Sequence, residues 1–236
     1  MNEKVDIGNI IPISTVDWHK KSSCTIFFSG CPFICPYCQN YNLLKKTNIV
    51  DISFVEKKII ESRDFVNATV FSGGEPTVQE KPLELLMNFS IMQGLLTGIQ
   101  TNGYYPSVIR KLIDLNIVDK IFLDLKAPPS DMIKYKAITG VEDANRKVLE
   151  SFNIISLSHI DCEIRTTVFR PFINNIFDIA QFLEQNNFRG TFVLQTGIPE
   201  NSPEEYMRKE KRIPIDEMRN MTKYIAKNTG FEVTYR

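Results

Sequence analysis

From residue 24 onward, short runs of β-branched and aromatic residues alternate with longer stretches whose apolar positions recur every three or four residues. The first pattern belongs to strands and the second to helices with one apolar face. Strands are predicted near 24–29, 67–72, 96–101, 119–124, 161–168 and 190–195. Helices are predicted near 52–64, 81–94, 106–115, 143–157, 174–186 and 214–227, with a last strand in Phe231–Tyr235. Such alternation builds a mostly parallel sheet. The expected class is therefore α/β, a partial (βα)6 TIM-like barrel with parallel strands. A full eight-unit barrel takes about 250 residues, and a doubly wound open sheet is the rival arrangement. No repeat or Gly/Ser linker divides the chain, so residues 1–236 read as one domain, with 1–22 an N-terminal extension and 23–236 the partial barrel. Ile10, Ile11 and Ile13 around Pro12 suggest a short β-ribbon in that extension. Just before the first strand, Trp18 reads as a packing residue and His19 as a satisfied histidine, and only 196–213 resembles a long loop.

Composition narrows the class without changing the fold. Twenty-eight Lys and Arg balance twenty-eight Asp and Glu, which leaves no electrostatic footprint for bulk nucleic-acid binding. Hydrophobic residues at 43% and charged residues at 24% are ordinary for a globular chain. No apolar run approaches the roughly 18 residues of a membrane span, and the opening Met1–Gly8 has no apolar signal core. A cytoplasmic protein without a membrane partner is expected.

The five cysteines are the first chemical signal. Cys31, Cys35 and Cys38 fall within eight residues in C-x3-C-x2-C spacing, while Cys24 and Cys162 stand apart. An odd, crowded set is a poor disulfide framework, and three soft donors on one loop can turn toward one point and hold a metal. Structural zinc takes four protein ligands. Cys24 or His19 could supply the fourth, although Cys24 sits in an apolar run that reads as a strand interior. An iron–sulfur cluster on three cysteines would leave one iron open to a non-protein ligand. Cluster, zinc and coincidence all remain open on the cysteines alone.

The unusual residues gather at one end of the predicted strands, where parallel α/β folds bind ligands. Cys31 to Cys38 follow the first strand, Gly73-Gly74-Glu75-Pro76 ends the second and Thr101-Asn102-Gly103 the third. Asp124 and Lys126 end the fourth, Arg165 lies in the fifth and Gln195 in the sixth. The cysteine loop and the Gly-Gly-Glu-Pro turn, in this order and one helical unit apart, resemble the radical S-adenosylmethionine (SAM) superfamily. The likeness runs from about residue 15 to the end. Ser14-Thr15-Val16-Asp17-Trp18, the segment Phe28 to Asn40 around the cysteines, and Phe122-Leu123-Asp124-Leu125-Lys126 are most similar to the glycyl-radical-enzyme activating branch, in particular the activators of anaerobic ribonucleoside-triphosphate reductase.

The resemblance implies that Cys31, Cys35 and Cys38 bind three irons of a [4Fe–4S] cluster, while the amino and carboxylate groups of SAM chelate the fourth. One electron would then cleave the sulfonium to methionine and a 5′-deoxyadenosyl radical, which takes a hydrogen atom from a glycine of the partner reductase. A low-potential donor such as flavodoxin or ferredoxin is implied. So are cofactor contacts from Tyr37 near the adenine, Gly73 and Gly74 as bare backbone beside the methionyl amino group, Glu75 orienting that edge, Asn102 on the ribose or methionyl part, Lys126 and Arg165 on the carboxylate, and Asp124 on an amino group or cation. Each has a plainer reading: a core aromatic, an ordinary turn or a surface ion pair. Departures from the branch are Gln100, where formate-lyase activators tend to carry an acid, the lack of cysteines for an inserted ferredoxin-like domain, and a longer sixth unit. Two rival functions stand beside the activase: a radical SAM enzyme acting on another glycyl radical enzyme, a small molecule or RNA, and a non-catalytic zinc or iron–sulfur module.

Overall fold

The computed structural model describes residues 3–44 and 47–236, so the first two residues of the N-terminal extension lie outside it. Strands are β1 (Lys4–Ser14), β2 (Ser23–Phe28), β3 (Ile49–Asp51), β4 (Ala68–Gly73), β5 (Leu96–Thr101), β6 (Lys120–Asp124), β7 (Asp161–Val168), β8 (Thr191–Thr196) and β9 (Glu232–Tyr235). Helices are α1 (Ile52–Ser62), α2 (Glu80–Met92), α3 (Pro106–Asp114), α4 (Met132–Thr139), α5 (Ala144–Ser156), α6 (Ile173–Gln185), α7 (Glu205–Arg208) and α8 (Ile215–Asn228). The nine strands of the described residues lie in one sheet of order β3-β1-β2-β4-β5-β6-β7-β8-β9. Pairing from β2 to β9 is parallel throughout, and β1 runs antiparallel to both β2 and β3.

That order is monotone from β2 to β9. With right-handed crossovers, steps taken always in one direction put every helix on the same face, and the sheet curls toward a barrel. A doubly wound sheet would reverse direction partway. β3 and β9 remain separate edges, so the barrel is open, as expected from six units and a final strand.

Strand alternation gives each face its chemistry. Ile26, Phe71, Ile99, Ile121, Ile164 and Phe192 are fully or almost fully buried and join Leu86, Ile109, Phe152 and Leu183 of the helices in one core. The alternate positions point into the barrel and are smaller or polar: Thr25, Ser72, Gln100, Asp124, Arg165 and Gln195. The lower interior is closed by a second apolar cluster of Trp18, Ala68, Val70 and Phe122. Trp18 meets Phe122 edge to face at 5.6 Å, and a Cβ at Gly98 would lie 2.9 Å from its Cζ3. The packing reading of Trp18 thus becomes specific, because it plugs the barrel floor.

The β-ribbon is real and longer than its sequence signal. β1 spans eleven residues, and its register shifts between Ile11 and Ser14, the bulge where Pro12 is tolerated. The 196–213 segment is less loop-like than its composition. It contains α7 and is pinned by Met207 and Ile213, 0% and 4% exposed.

Candidate functional site

The carboxyl ends of the parallel strands open into a cleft of about 300 Å³ lined by all three cysteines of the loop. Tyr37, Gly73, Gly74, Glu75, Asn102, Asp124, Lys126 and Arg165 line the same cleft. All eleven candidate residues, drawn from five strand ends, thus meet in one place.

The cysteine loop is held by its flanks. Asn40 Nδ2 donates to Gly73 O at 3.2 Å, and Ile34 N donates to Thr139 O at 3.0 Å. The Gln39 side chain donates to Ile198 O and accepts from Ile198 N, both at 3.3 Å, tying the 196–213 segment to the loop. Burial pushes all three thiols up, Cys35 to about 12. They would therefore be deprotonated by a bound metal rather than by solvent.

Among the described residues, no three His, Cys, Asp or Glu side chains are close enough together to hold one metal ion. All three thiols nevertheless line one cleft. Cluster thiolates sit on different irons and need not share one ion, whereas a tetrahedral zinc would need a fourth protein ligand. Neither proposed fourth ligand is at hand. Cys24 is fully buried on the helix-facing side of β2, about 13 Å of strand from the end that carries the loop. His19 is exposed and does not line the cleft. The donor set fits a three-thiolate cluster.

Gly73 and Gly74 are required by packing. Gly73 has φ +122°, and a Cβ there would lie 2.2 Å from Phe28 O. One at Gly74 would lie 2.1 Å from Gly30 O. Gly74 N and Glu75 N in turn donate to Phe28 O and Gly30 O at 2.9 and 2.8 Å. The end of β4 therefore presses against the base of the cysteine loop, and the missing side chains make room for that loop.

Glu75 is completely buried, and its oxygens are engaged by the protein. Oε1 accepts from Thr77 N and Oγ1 and from Thr101 Oγ1, and Oε2 accepts from Asn102 N at 2.7 Å. The carboxylate joins the ends of β4 and β5. Burial raises its pKa, against the lowering effect of these bonds.

Asp124 and Lys126 form an ion pair. Burial works against the Lys126 charge, but Asp124 and Cys35 outweigh it and hold its pKa above the ordinary lysine value. Asp124 Oδ1 is buried without a hydrogen-bond partner among the described residues, while Oδ2 holds Lys126. Tyr37 is 4% exposed and stacks on Phe169 at 4.8 Å, so one ring face is already occupied by the core.

Arg165, only 4% exposed, points inward. Its Nε donates to Glu163 at 2.6 Å, its Nη2 donates to Asp17 O at 2.8 Å, and its guanidinium lies 3.9 Å from the Phe122 ring centre. Burial lowers its pKa to about 10, with Glu163 working in the other direction. The anionic partner that a buried guanidinium needs is supplied in the first instance by Glu163.

Asp17 is the site residue the sequence reading missed. Its carboxylate accepts from Ser14 Oγ, Thr25 Oγ1 and Gln100 Nε2 at 2.6, 2.8 and 3.2 Å. The acid of the N-terminal segment thus stands beside Gln100, and Ser72 Oγ donates to the other end of the same amide at 2.7 Å. The available signal was an acid directly before the plugging tryptophan.

The sequence matches the profile of the Radical SAM superfamily over residues 25–184. A candidate glycyl-radical enzyme activating enzyme of Methanocaldococcus jannaschii, MJ1227, is 28% identical over 231 residues, covering 95% of this chain and 93% of that one. A candidate glycyl-radical enzyme activating enzyme of Haemophilus influenzae is 31% identical over 127 residues, 52% of this chain and 47% of its own length. Streptococcus suis SuiB bound to precursor peptide SuiA superposes with a TM-score of 0.72 at 16% identity, covering 90% of this chain and 48% of that one, a likeness of fold.

Proposed function

The chain belongs to the radical SAM superfamily, and from that premise we propose that it installs a glycyl radical on anaerobic ribonucleoside-triphosphate reductase. Its cofactors are those of the superfamily, a [4Fe–4S] cluster and SAM. When bound, they supply a one-electron cleavage of the sulfonium and a carbon radical able to take a hydrogen atom from glycine. In this reading Cys31, Cys35 and Cys38 hold the cluster. Lys126 and Arg165 answer the SAM carboxylate, the unpartnered oxygen of Asp124 answers its amino group, and Tyr37 borders the adenine. Gly73, Gly74 and Glu75 serve by fixing the loop and strand ends around that site.

The observation that carries the activase reading is the size of the cleft. About 300 Å³ lies at the low end for one drug-sized ligand, which leaves little room for a second molecule beside SAM. The hydrogen donor then has to arrive from outside, as a loop of a protein does. Full-length similarity to a candidate activating enzyme supports the same reading. The choice of reductase rests on the Ser14–Trp18 segment, which resembles that branch and contributes Asp17 to the cleft. Flavodoxin or ferredoxin is the electron donor of this proposal, and the cytoplasm its compartment.

The test is electron paramagnetic resonance of the reductase after anaerobic incubation with reduced activator and SAM. A glycyl signal that disappears when the target glycine of the reductase is replaced by alanine is the expected result. No signal, or one that survives that replacement, overturns the choice of partner.

A further inference from the structure

Asn102 makes contacts that an ordinary Thr-Asn-Gly turn does not need. Its Oδ1 accepts from Tyr104 N at 2.9 Å, which fixes the orientation of the amide and leaves the NH2 end pointing the other way. There Nδ2 lies 3.5 Å from Cys31 Sγ. The residue is 7% exposed, and its main-chain N is bonded to Glu75 at 2.7 Å, so both its backbone and its side chain are held. A second donor, Phe33 N, approaches the same sulfur at 3.4 Å. Cys31 is thus hydrogen-bonded by one backbone group and one side chain.

We infer that Asn102 is a positioning residue that tunes the cluster, its amide donating to the Cys31 thiolate and raising the reduction potential. The inference rests on the reading that the three cysteines hold a [4Fe–4S] cluster. A hydrogen bond to a ligating sulfur draws charge away from it. The reduced cluster carries one more negative charge than the oxidised one, so it gains more from that withdrawal. Because the Phe33 donor is backbone, Asn102 is the one of the two that substitution can remove.

The experiment is a redox titration of the anaerobically reconstituted protein, followed by electron paramagnetic resonance with no SAM present, on wild type, Asn102→Ala and Asn102→Ser. Serine keeps a short side-chain acceptor for the Tyr104 N–H but does not reach the sulfur. Both variants should retain iron and sulfide and show similar downward shifts of the midpoint potential. If Asn102 contacts only SAM, the potential stays in place in both variants, which overturns the inference. A shift in the alanine variant alone, or loss of the cluster from both, also overturns it by assigning Asn102 a structural role. A wild-type protein that assembles no cluster overturns the cluster reading itself, an outcome distinct from unmoved potentials in an intact cluster.

Discussion

Glu75 places a carboxylate where water cannot reach it, and its surroundings define its use. Four bonds from Thr77, Thr101 and Asn102 converge on it, yet burial still raises its pKa. A carboxyl that titrates higher folded than unfolded contributes most below its unfolded value, about 4.3. That contribution is lost as pH rises through the folded value. Replacing Glu75 by Gln turns an N–H toward the Asn102 N–H and should cost about 1–3 kcal/mol. In urea unfolding of the apoprotein, the wild-type advantage over Glu75→Gln should shrink as pH rises above the unfolded carboxyl value of about 4.3, and an advantage that grows with pH would contradict this account. The motif identified Glu75 as important but not its partners, since the threonines and the Asn102 N–H come from a turn and from another strand. Asp124 was legible as the end of a strand and Lys126 as a residue two further on, although β6 stops at Asp124 and Lys126 sits in the bend beyond it. Asp17 was not, because its place beside Gln100 depends on the path of the chain before β2.

At the scale of elements, the β4 turn and the cysteine loop form one packed unit. A Cβ at Gly74 meets the backbone oxygen of Gly30 at 2.1 Å, and that oxygen cannot swing aside as a side chain would. Gly74→Ala should destabilise the protein by roughly 1–3 kcal/mol and lower iron content after reconstitution. Gly94 is the control: its φ is +78° with open space around it, so Gly94→Ala should cost stability while leaving iron content unchanged. Equal iron contents in the two variants would refute the packing explanation. The regular elements were readable to within a residue or two because each carries a clear period. α4 was not, because Met132 and Ile133 are exposed while Tyr135 and Ile138 are buried, and Pro128-Pro129 just before it reads as a loop. Its ends carried the better signal: the Asp131 side chain accepts from Lys134 N at 3.0 Å, and Gly140 closes the helix at φ +72°. Three-residue β3 is too short for any period.

Across the whole molecule, a curled parallel sheet carries three thiols at the rim of a cleft whose floor is closed by Trp18. The 196–213 segment is latched to the cysteine loop through Gln39, so the last unit of the barrel helps frame the mouth. No helix among the described residues is long and apolar enough to cross a membrane. This architecture separates two cysteines by role. Cys35 lies in the cleft wall, whereas Cys162 alternates with the inward Glu163 on β7 and faces the helices. The most direct measurement is anaerobic reconstitution with iron and sulfide, then reduction in the presence of SAM and assay for 5′-deoxyadenosine. Wild type and Cys162→Ser should assemble the cluster and form the nucleoside, and Cys35→Ser should do neither. Absence of 5′-deoxyadenosine from iron-loaded wild type with all three loop cysteines intact, or equal loss in the two serine variants, would contradict the account.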